Sequence, residues 1–500
     1  MLAPSRIRPK RAQTESQKQA VVQAQSIAAP VAGMVTNEAL PNARSAIILE
    51  NMWPTSEGVE PRRGCASQCS VTDPVVTLFQ HTASGTYVAA TASGLYTFTG
   101  ASVGALTAAV SGLTSGAWST YEVQNSGGSF LLCVNGADHM RRFDGSTWLT
   151  ITGTGIGAIT GVDTDDLSYI WGHRNRVFAI KSGTLSAYYL GVNSISGAAT
   201  ELPLAAVFRK GGALLMGGTW SSDSGSGMDD RCVFVTTTGE VAVYAGSDPG
   251  DLNNWSLQGV YDVGAPLGRL ASETIGGDVV FLTRDGIIPL SAVVSKDPSQ
   301  LSAAAVSAAI GPTMRAATDY VVGDWRLAKW DVGGMLIAAP MVSSDLPVKI
   351  FAANLVTGAW SMFTGWEASD IRGLGTALYF GDRSGSIFRA WTGGNDDGRP
   401  FIARAMMAPD PLGSPSGTKT VGTMQAVFRA RAMVTYTMGV AIDYADDFGA
   451  PPMISSLPAD EDLSEWDVAE WDVSSWGSDV FKYTTVSGWR GVNAVGDAFS

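Results

Sequence analysis

From about residue 68 the chain repeats one pattern: an apolar run, a turn containing glycine, and a second run rich in aromatics. "GTYVAATASGLYTFTG" (85–100), "GSFLLCVNGADHMRRFDGSTW" (128–148) and "NRVFAIKSGTLSAYYL" (175–190) are the first three copies. "CVFVTTTGEVAVYAG" (232–246) and "GDVVFLTRDGIIPLS" (277–291) follow, then "GMLIAAPMVSSDLPVKIFAANLVTGAWSMF" (334–363) and "ALYFGDRSGSIFRAWTG" (377–393). Each reads as a hairpin whose "SG", "NG", "TG" or "DG" turn admits positive φ. The turns recur about every 40 to 60 residues, the length of one four-stranded propeller blade. A lone blade leaves both faces wet, whereas six or seven packed radially remove the exposed edges. The pattern therefore predicts an all-β chain built on a β-propeller of six or seven blades over residues 42–393.

Two stretches depart from it. "KDPSQLSAAAVSAAIGPTMRAATDY" (296–320) is rich in alanine, and Asp297 or Ser299 offers a helix start, so a short helix is expected between blades. After Gly393 the hairpin repeat stops. "RPFIARAMMAPD" and "TMQAVFRARAMVTYTMGVAIDYADDF" read as long strands of a small β-rich part over 394–500. Residues 1–41 read as an extended arm: the head is basic, and polar residues stand where a signal peptide needs an apolar core. No apolar run reaches the ~18–20 residues of a membrane span.

Composition sharpens this picture in one respect. Lys and Arg number 33 against 46 Asp and Glu, a net charge of −13, which argues against nucleic-acid binding over the whole surface. The charge is uneven. Arg6, Arg8, Lys10 and Arg11 crowd the start, while Asp443 to Asp479 holds eleven acids, Asp446, Asp447, Asp460, Glu461 and Asp462 among them, and no Lys or Arg. The same stretch contains "EWDVAEWDVSSWG", with Trp466, Trp471 and Trp476 five residues apart. That step fits neither a strand nor a helix, and it reads as successive turns with each Asp accepting backbone N–H bonds. The tryptophans either pack within the chain or anchor an interface.

Candidate chemistry is sparse. "RRFDGSTW" (141–148) lacks the Asp-to-Gly spacing of a sialidase Asp-box and reads as a turn with Trp148 packing between blades. Asp165–Asp166 and Asp396–Asp397 read as solvated turns, not as a glycosidase pair. His81, His139 and His173 sit in no nucleophile motif, and His173 reads as a loop or core hydrogen-bonder. "GVDTDDLSY" (161–169) lacks the glycine and terminal Glu of a calcium loop. Cys65, Cys69, Cys133 and Cys232 have no CxxC spacing and read as free thiols. No phosphate loop or dinucleotide fingerprint follows a strand. No enzyme, metal or cofactor is expected.

One stretch carries a resemblance. In "YAGSDPGDLNNWSLQGVYDVGAPLGRLASETIGGDVVFLTRDGIIPLS" (244–291), Gly246, Asp248, Pro249, Trp255, Gly259, Pro266 and Gly268, then Thr283, Asp285, Gly286 and Pro289, resemble the propeller segment of tail nozzle or tail hub proteins of short-tailed phages. "NARSAIILENMWPTSEGVEPRRG" (42–64) resembles that family's entry into the propeller, and the pentads ending in "WG" are similar too; the likeness spans most of 42–480. It implies a structural virion protein, a homo-oligomeric ring, a hexamer, below the portal and adaptor. The ring would close and then conduct the DNA exit channel, in the viral tail after assembly in the host cytoplasm. Partners implied are further copies of the chain, adaptor or head–tail connector proteins, tail fibre or needle proteins, and packaged double-stranded DNA passing without specific binding. No small-molecule substrate is implied. On that reading Asp446, Asp447, Asp460, Glu461 and Asp462 would line the channel, since like charge keeps a duplex off the wall; alternatively they solubilise a loop. Arg6, Arg8, Lys10 and Arg11 would touch DNA or dock on a neighbouring ring. A glycan-binding or glycan-cleaving propeller is the alternative function, and a bacterial surface scaffold a third, disfavoured by the lack of a signal peptide.

Overall fold

The seven hairpins read from the sequence are the central strands of seven blades. The computed structural model describes residues 24–40, 43–221, 230–321, 323–341, 348–413, 417–430 and 436–442, and the backbone of the strand Thr484–Gly496. Blade 1 comprises Thr77–His81, Thr86–Ala90, Gly94–Phe98 and Ala108–Ser111; blade 2 comprises Ser119–Asn125, Gly128–Val134, Arg141–Phe143 and Trp148–Thr150. Blade 3 holds Leu167–His173, Arg176–Lys181, Ser186–Tyr189 and Thr200–Pro203, and blade 4 holds Leu214–Trp220, Arg231–Thr236, Glu240–Gly246 and Trp255–Asp262. All four are antiparallel meanders, innermost strand first.

Blade 5 keeps only three strands, Ser272–Ile275, Asp278–Thr283 and Gly286–Pro289. The alanine-rich stretch runs along its outer edge. Following the short helix Leu290–Ser295, it is a chain of short pieces, Leu301–Ala304 and Gly311–Tyr320, joined by 3-10 turns, and not the single helix expected. Asp297 does cap the first of those turns, accepting from the Ser299 N–H at 2.9 Å. The interruption has a packing cause. Val306 N–H donates to the Ile287 carbonyl, and the Ser307 hydroxyl oxygen accepts from the Ile287 N–H at 2.9 Å. The segment thereby satisfies the edge that a fourth strand would have paired.

Blade 6 is the largest sheet. To Trp325–Trp330, Met335–Pro340, Ile350–Asn354 and Trp360–Phe363 it adds Ala46–Glu50, parallel, and then Arg404–Met407. The last strand, from the part expected to be separate, thus extends the propeller's own hydrogen bonding past residue 393. Residues 32–35 of the arm also bind here: Met34 N–H donates to the Trp360 carbonyl at 2.7 Å and Ala46 N–H to that of Gly33 at 3.0 Å. Gly33 sits at φ +78° against the Trp360 backbone, where a Cβ would come within 2.6 Å. Blade 7 closes the ring: Ala368–Leu374, Ala377–Asp382 and Ser386–Ala390 accept Cys65–Ser70 from the N-terminal side as fourth strand, and Gly104–Ala105 follows it.

Between blades the core is dry and aromatic. Phe79, Trp118, Leu131 and Phe143 fill the gap between blades 1 and 2; Trp171, Phe178, Phe234 and Trp255 fill that between blades 3 and 4. Because a wedge is covered on both faces, middle strands such as "RCVFVT" are apolar at almost every position. One device recurs at the inner strands. Gly172 receives Tyr121 of the preceding blade, Gly217 receives Trp171, and Gly373 receives Trp330. A Cβ on Gly172 would lie 1.9 Å from the Tyr121 hydroxyl, and one on Gly217 would lie 2.4 Å from the Trp171 ring. The large ring of one blade needs a bare backbone on the next.

Candidate functional site

The residues singled out in the sequence, Arg6, Arg8, Lys10, Arg11, Asp446, Asp447, Asp460, Glu461, Asp462, Trp466, Trp471 and Trp476, lie outside the described residues. The structure describes what carries the acidic, tryptophan-repeating stretch. Lys419–Ala430 and Thr484–Gly496 pair antiparallel, from Lys419↔Gly496 to Ala430↔Thr484, with a bulge between Val421 and Thr423. Twelve residues at ~3.4 Å each make a ribbon about 40 Å long. Met424, Ala426 and Phe428 form a half-buried face on which Tyr436 packs, its ring 4.8 Å from Phe428. Gln425, Val427 and Arg429 alternate on the exposed face, Val427 at 64%. Among the described residues this is a two-stranded sheet with no further strand on either edge. The chain leaves it at Ala430 and re-enters at Thr484, the residue paired with Ala430.

The axis of the propeller is bridged, which no sequence signal announced. Arg269, on the connection from blade 4 to blade 5, donates to the carbonyls of Ala117 (2.7 Å), Ser168 (3.0 Å) and Asn135 (3.2 Å). Those acceptors lie at the entry to blade 2, at the end of its second strand and at the start of blade 3, so the guanidinium ties blades 2 and 3 to the connection entering blade 5 at one mouth. Deeper, Arg326 of blade 6 pairs with Asp370 of blade 7 at 3.0 Å, and Asp370 accepts from the Leu78 N–H of blade 1 at 2.6 Å. Burial pushes the Asp370 carboxyl upward, opposed by the neighbouring Arg326. Tyr169 is also pushed up by burial.

A second buried arginine locks the closure. Arg62 donates two parallel bonds to Asp396, at 2.8 and 2.7 Å, and further bonds to Asn51 Oδ1 at 2.9 Å and the Thr364 carbonyl at 2.8 Å. Its guanidinium lies between the rings of Trp366 (4.6 Å) and Phe401 (4.1 Å). Trp366 Nε1–H donates to the same carboxylate at 3.1 Å. Asp396 is therefore not a solvated turn. Only Asp397 remains at the surface, where its carboxylate accepts from the Ser67 N–H at 3.0 Å. A local window shows two acids in a glycine-rich loop and cannot show an arginine 334 residues upstream.

On the face bearing the turns between first and second strands lies a polar depression of about 500 Å³. Tyr121, His173, Arg174, Asn175, Thr219 and Ser247 line it. Arg174 and Asn175 form the two-residue turn of blade 3 with φ of +47° and +58°, the left-handed pair that matches strand twist in a hairpin. His173, read from the sequence as a loop or core hydrogen-bonder, is a buried one: Nδ1 lies 3.0 Å from the Thr219 hydroxyl and Nε2 3.1 Å from the Gly246 carbonyl. Burial lowers its pKa, so it is neutral at neutral pH. Both nitrogens are occupied, which leaves neither to act as a base. Asp144, likewise, accepts from the Ser146 and Thr147 N–H groups in its turn while Trp148 stacks on Phe143 at 4.7 Å. The four cysteines are free and buried. Among the described residues, no helix is long and apolar enough to cross a membrane.

No protein-family model and no curated protein matches the chain. Solved structures similar to it are propellers or contain them. The β-propeller domain of Cps50 (Swd1) from Myceliophteria thermophila is 10% identical, with 66% of this chain and 99% of that one covered at a TM-score of 0.41. Chaetomium thermophilum Raptor is 10% identical, with 66% of this chain and 29% of that one covered at 0.39. YCF48 bound to D1 peptide is 12% identical, with 65% and 94% covered at 0.38. The seven-bladed architecture itself rests on this chain's own sheet order.

Proposed function

We propose that this chain is a structural virion protein, a homo-oligomeric ring at the tail of a short-tailed phage. In this reading it sits below the portal and adaptor, closing and then conducting the DNA exit channel. The observation that supports it most is the isolated ribbon, Lys419–Ala430 with Thr484–Gly496. Two strands alone are marginal in water; among the described residues no further strand pairs with either edge of this ribbon, and the sequence joining its strands includes 443–479, eleven acids without Lys or Arg. Copies arranged around an axis would cover the edges and turn like charge toward a passing duplex. The bridged propeller axis fits the same scheme. With Arg269 across its mouth the propeller is a solid wall unit, and the conduit lies between copies. The stretch 244–291 that carries the resemblance forms the outermost strand of blade 4, with the end of the strand before it, and all three strands of blade 5.

The purified full chain, alone and with a portal adaptor, is to be viewed by negative-stain microscopy. Rings with a central hole are expected, and Trp466→Ala/Trp471→Ala/Trp476→Ala should impair them if the tryptophans anchor neighbours. A chain that stays monomeric under both conditions, or that is missing from tails of intact particles, would sink the reading. The polar depression beside His173 favours the second reading, a glycan-binding propeller. Among the described residues its lining offers one carboxylate, Asp230, whereas glycoside hydrolysis uses two; binding without cleavage on a glycan array, lost in Tyr121→Ala, would promote it.

A further inference from the structure

We infer that His139, Asp163 and Asp165 form a binding site for a divalent first-row transition ion such as Zn²⁺ or Mn²⁺. One ring nitrogen of the histidine and one carboxylate oxygen from each aspartate lie within 4.8 Å of one another. The three come from two separate segments. His139 is on the turn between Gly128–Val134 and Arg141–Phe143 of blade 2, and the aspartates are on the connection into blade 3. The 3-10 turn Thr164–Asp166 presents them: the buried Thr164 hydroxyl donates to the Ile151 carbonyl at 2.6 Å and pins the turn under the imidazole, whose Nδ1 is 3.3 Å away.

The neighbours sort the groups further. Asp166 is committed to Lys181 at 3.1 Å, but among the described residues the Asp163 and Asp165 carboxylates have no cationic partner beyond His139, 4.0 Å from Asp165. Two carboxylates held this close repel one another, and a divalent cation relieves that repulsion. Of the chain's three histidines, His81 and His173 are buried with their ring nitrogens engaged. His139 is the half-exposed one, its side chain 41% accessible. One imidazole with two carboxylates suits zinc or manganese better than calcium or magnesium, which take oxygen ligands. Solvent reaches the cluster, so water completes the coordination. A bound ion would clip the blade 2 turn to the connection that follows it.

The test uses the full chain, stripped with EDTA and dialysed, titrated with ZnCl₂ and separately with MnCl₂ by calorimetry, with thermal unfolding read in parallel. Wild type is expected to take up one ion saturably and to melt higher with metal present. Asp163→Asn, Asp165→Asn and His139→Gln, each close in shape to the native side chain, should each weaken that uptake about tenfold or more and abolish the melting shift. The acids of 443–479 contribute equally in every variant, so the difference between wild type and variants is the readout. No saturable uptake at millimolar metal, or equal uptake by the triple variant, would overturn the assignment.

Discussion

Replacing Arg62 by alanine should open the ring where its two ends meet. The side chain makes five hydrogen bonds, to Asn51 Oδ1, the Arg63 and Thr364 carbonyls and both oxygens of Asp396. It also fills the space between Trp366 and Phe401. Without it, the buried Asp396 carboxylate keeps the Trp366 indole N–H as its side-chain donor. Removing one partner of a buried ion pair costs about 3–5 kcal/mol, most of it the stranded charge. Arg62→Met/Asp396→Asn takes away both charges and should recover part of that loss, so the double variant is milder than the sum of the singles. Urea unfolding followed by tryptophan fluorescence gives the energies, and hydrogen exchange gives the place. Protection should fall first in Cys65–Ser70 and its partner Ser386–Ala390. An Arg62→Ala loss below about 1 kcal/mol, or singles that simply add, would refute the idea that this pair closes the ring.

Other expectations follow from the same packing. Gly217→Ala places a methyl against the Trp171 ring and should cost about 1–3 kcal/mol, whereas Gly218→Ala, with open space around its Cβ, should fall within about 0.5 kcal/mol; equal losses by thermal unfolding would contradict the aromatic-on-glycine device. Asp138 accepts from the Thr114 and Ser115 N–H groups and from Asn135 Nδ2; against the opposing effect of burial, these bonds hold its pKa below the ordinary value. A depressed pKa contributes stability above the unfolded value, lost as pH falls through the folded one. Asp138→Asn should therefore cost about 1–2 kcal/mol at pH 7 and converge with wild type in acid, seen in melting curves across pH. Burial and the nearby Asp396 push the Cys65 thiol up to about 12, and burial pushes Cys69 to about 11. Neither should react with a disulfide reagent at pH 8 until urea unfolds the chain, and prompt labelling of the native protein would contradict their placement.

Arg269→Ala tests the axial bridge. It leaves three carbonyls without this donor, and about 2–4 kcal/mol of stability should go with it. Exchange at the Ala117 and Ser168 ends should rise together, since one side chain serves both. A change confined to either end would show that the two are not joined through Arg269.

What the sequence determined by itself is local and periodic. Each of the seven hairpins was legible because strand, turn and strand lie within one short window, and their glycines announce turns that only positive φ can close. The fold class, with six or seven blades, followed from their repetition; the count of seven came from the sheet order. The turn at Asp144 and the hydrogen-bonding role of His173 were legible on the same scale, though not whether that histidine lies in a loop or in the core. Long-range pairing was not. Nothing in the sequence of Cys65–Ser70 marks its role, and only the closed ring makes it the fourth strand of blade 7, because burial of that blade's outer edge has to come from the other end of the chain. The alanine-rich stretch has helix formers on both sides of Gly311–Pro312, yet an unpaired edge on blade 5 claims Val306 and Ser307 and breaks the part before that pair. Asp396, Arg269 and the His139 cluster gain their meaning from partners brought alongside by the curvature of the ring. Hydrophobic spacing records which face of a strand is dry, but an ion pair or a bridging guanidinium depends on where two distant backbones meet, and that is decided only when the last blade packs against the first.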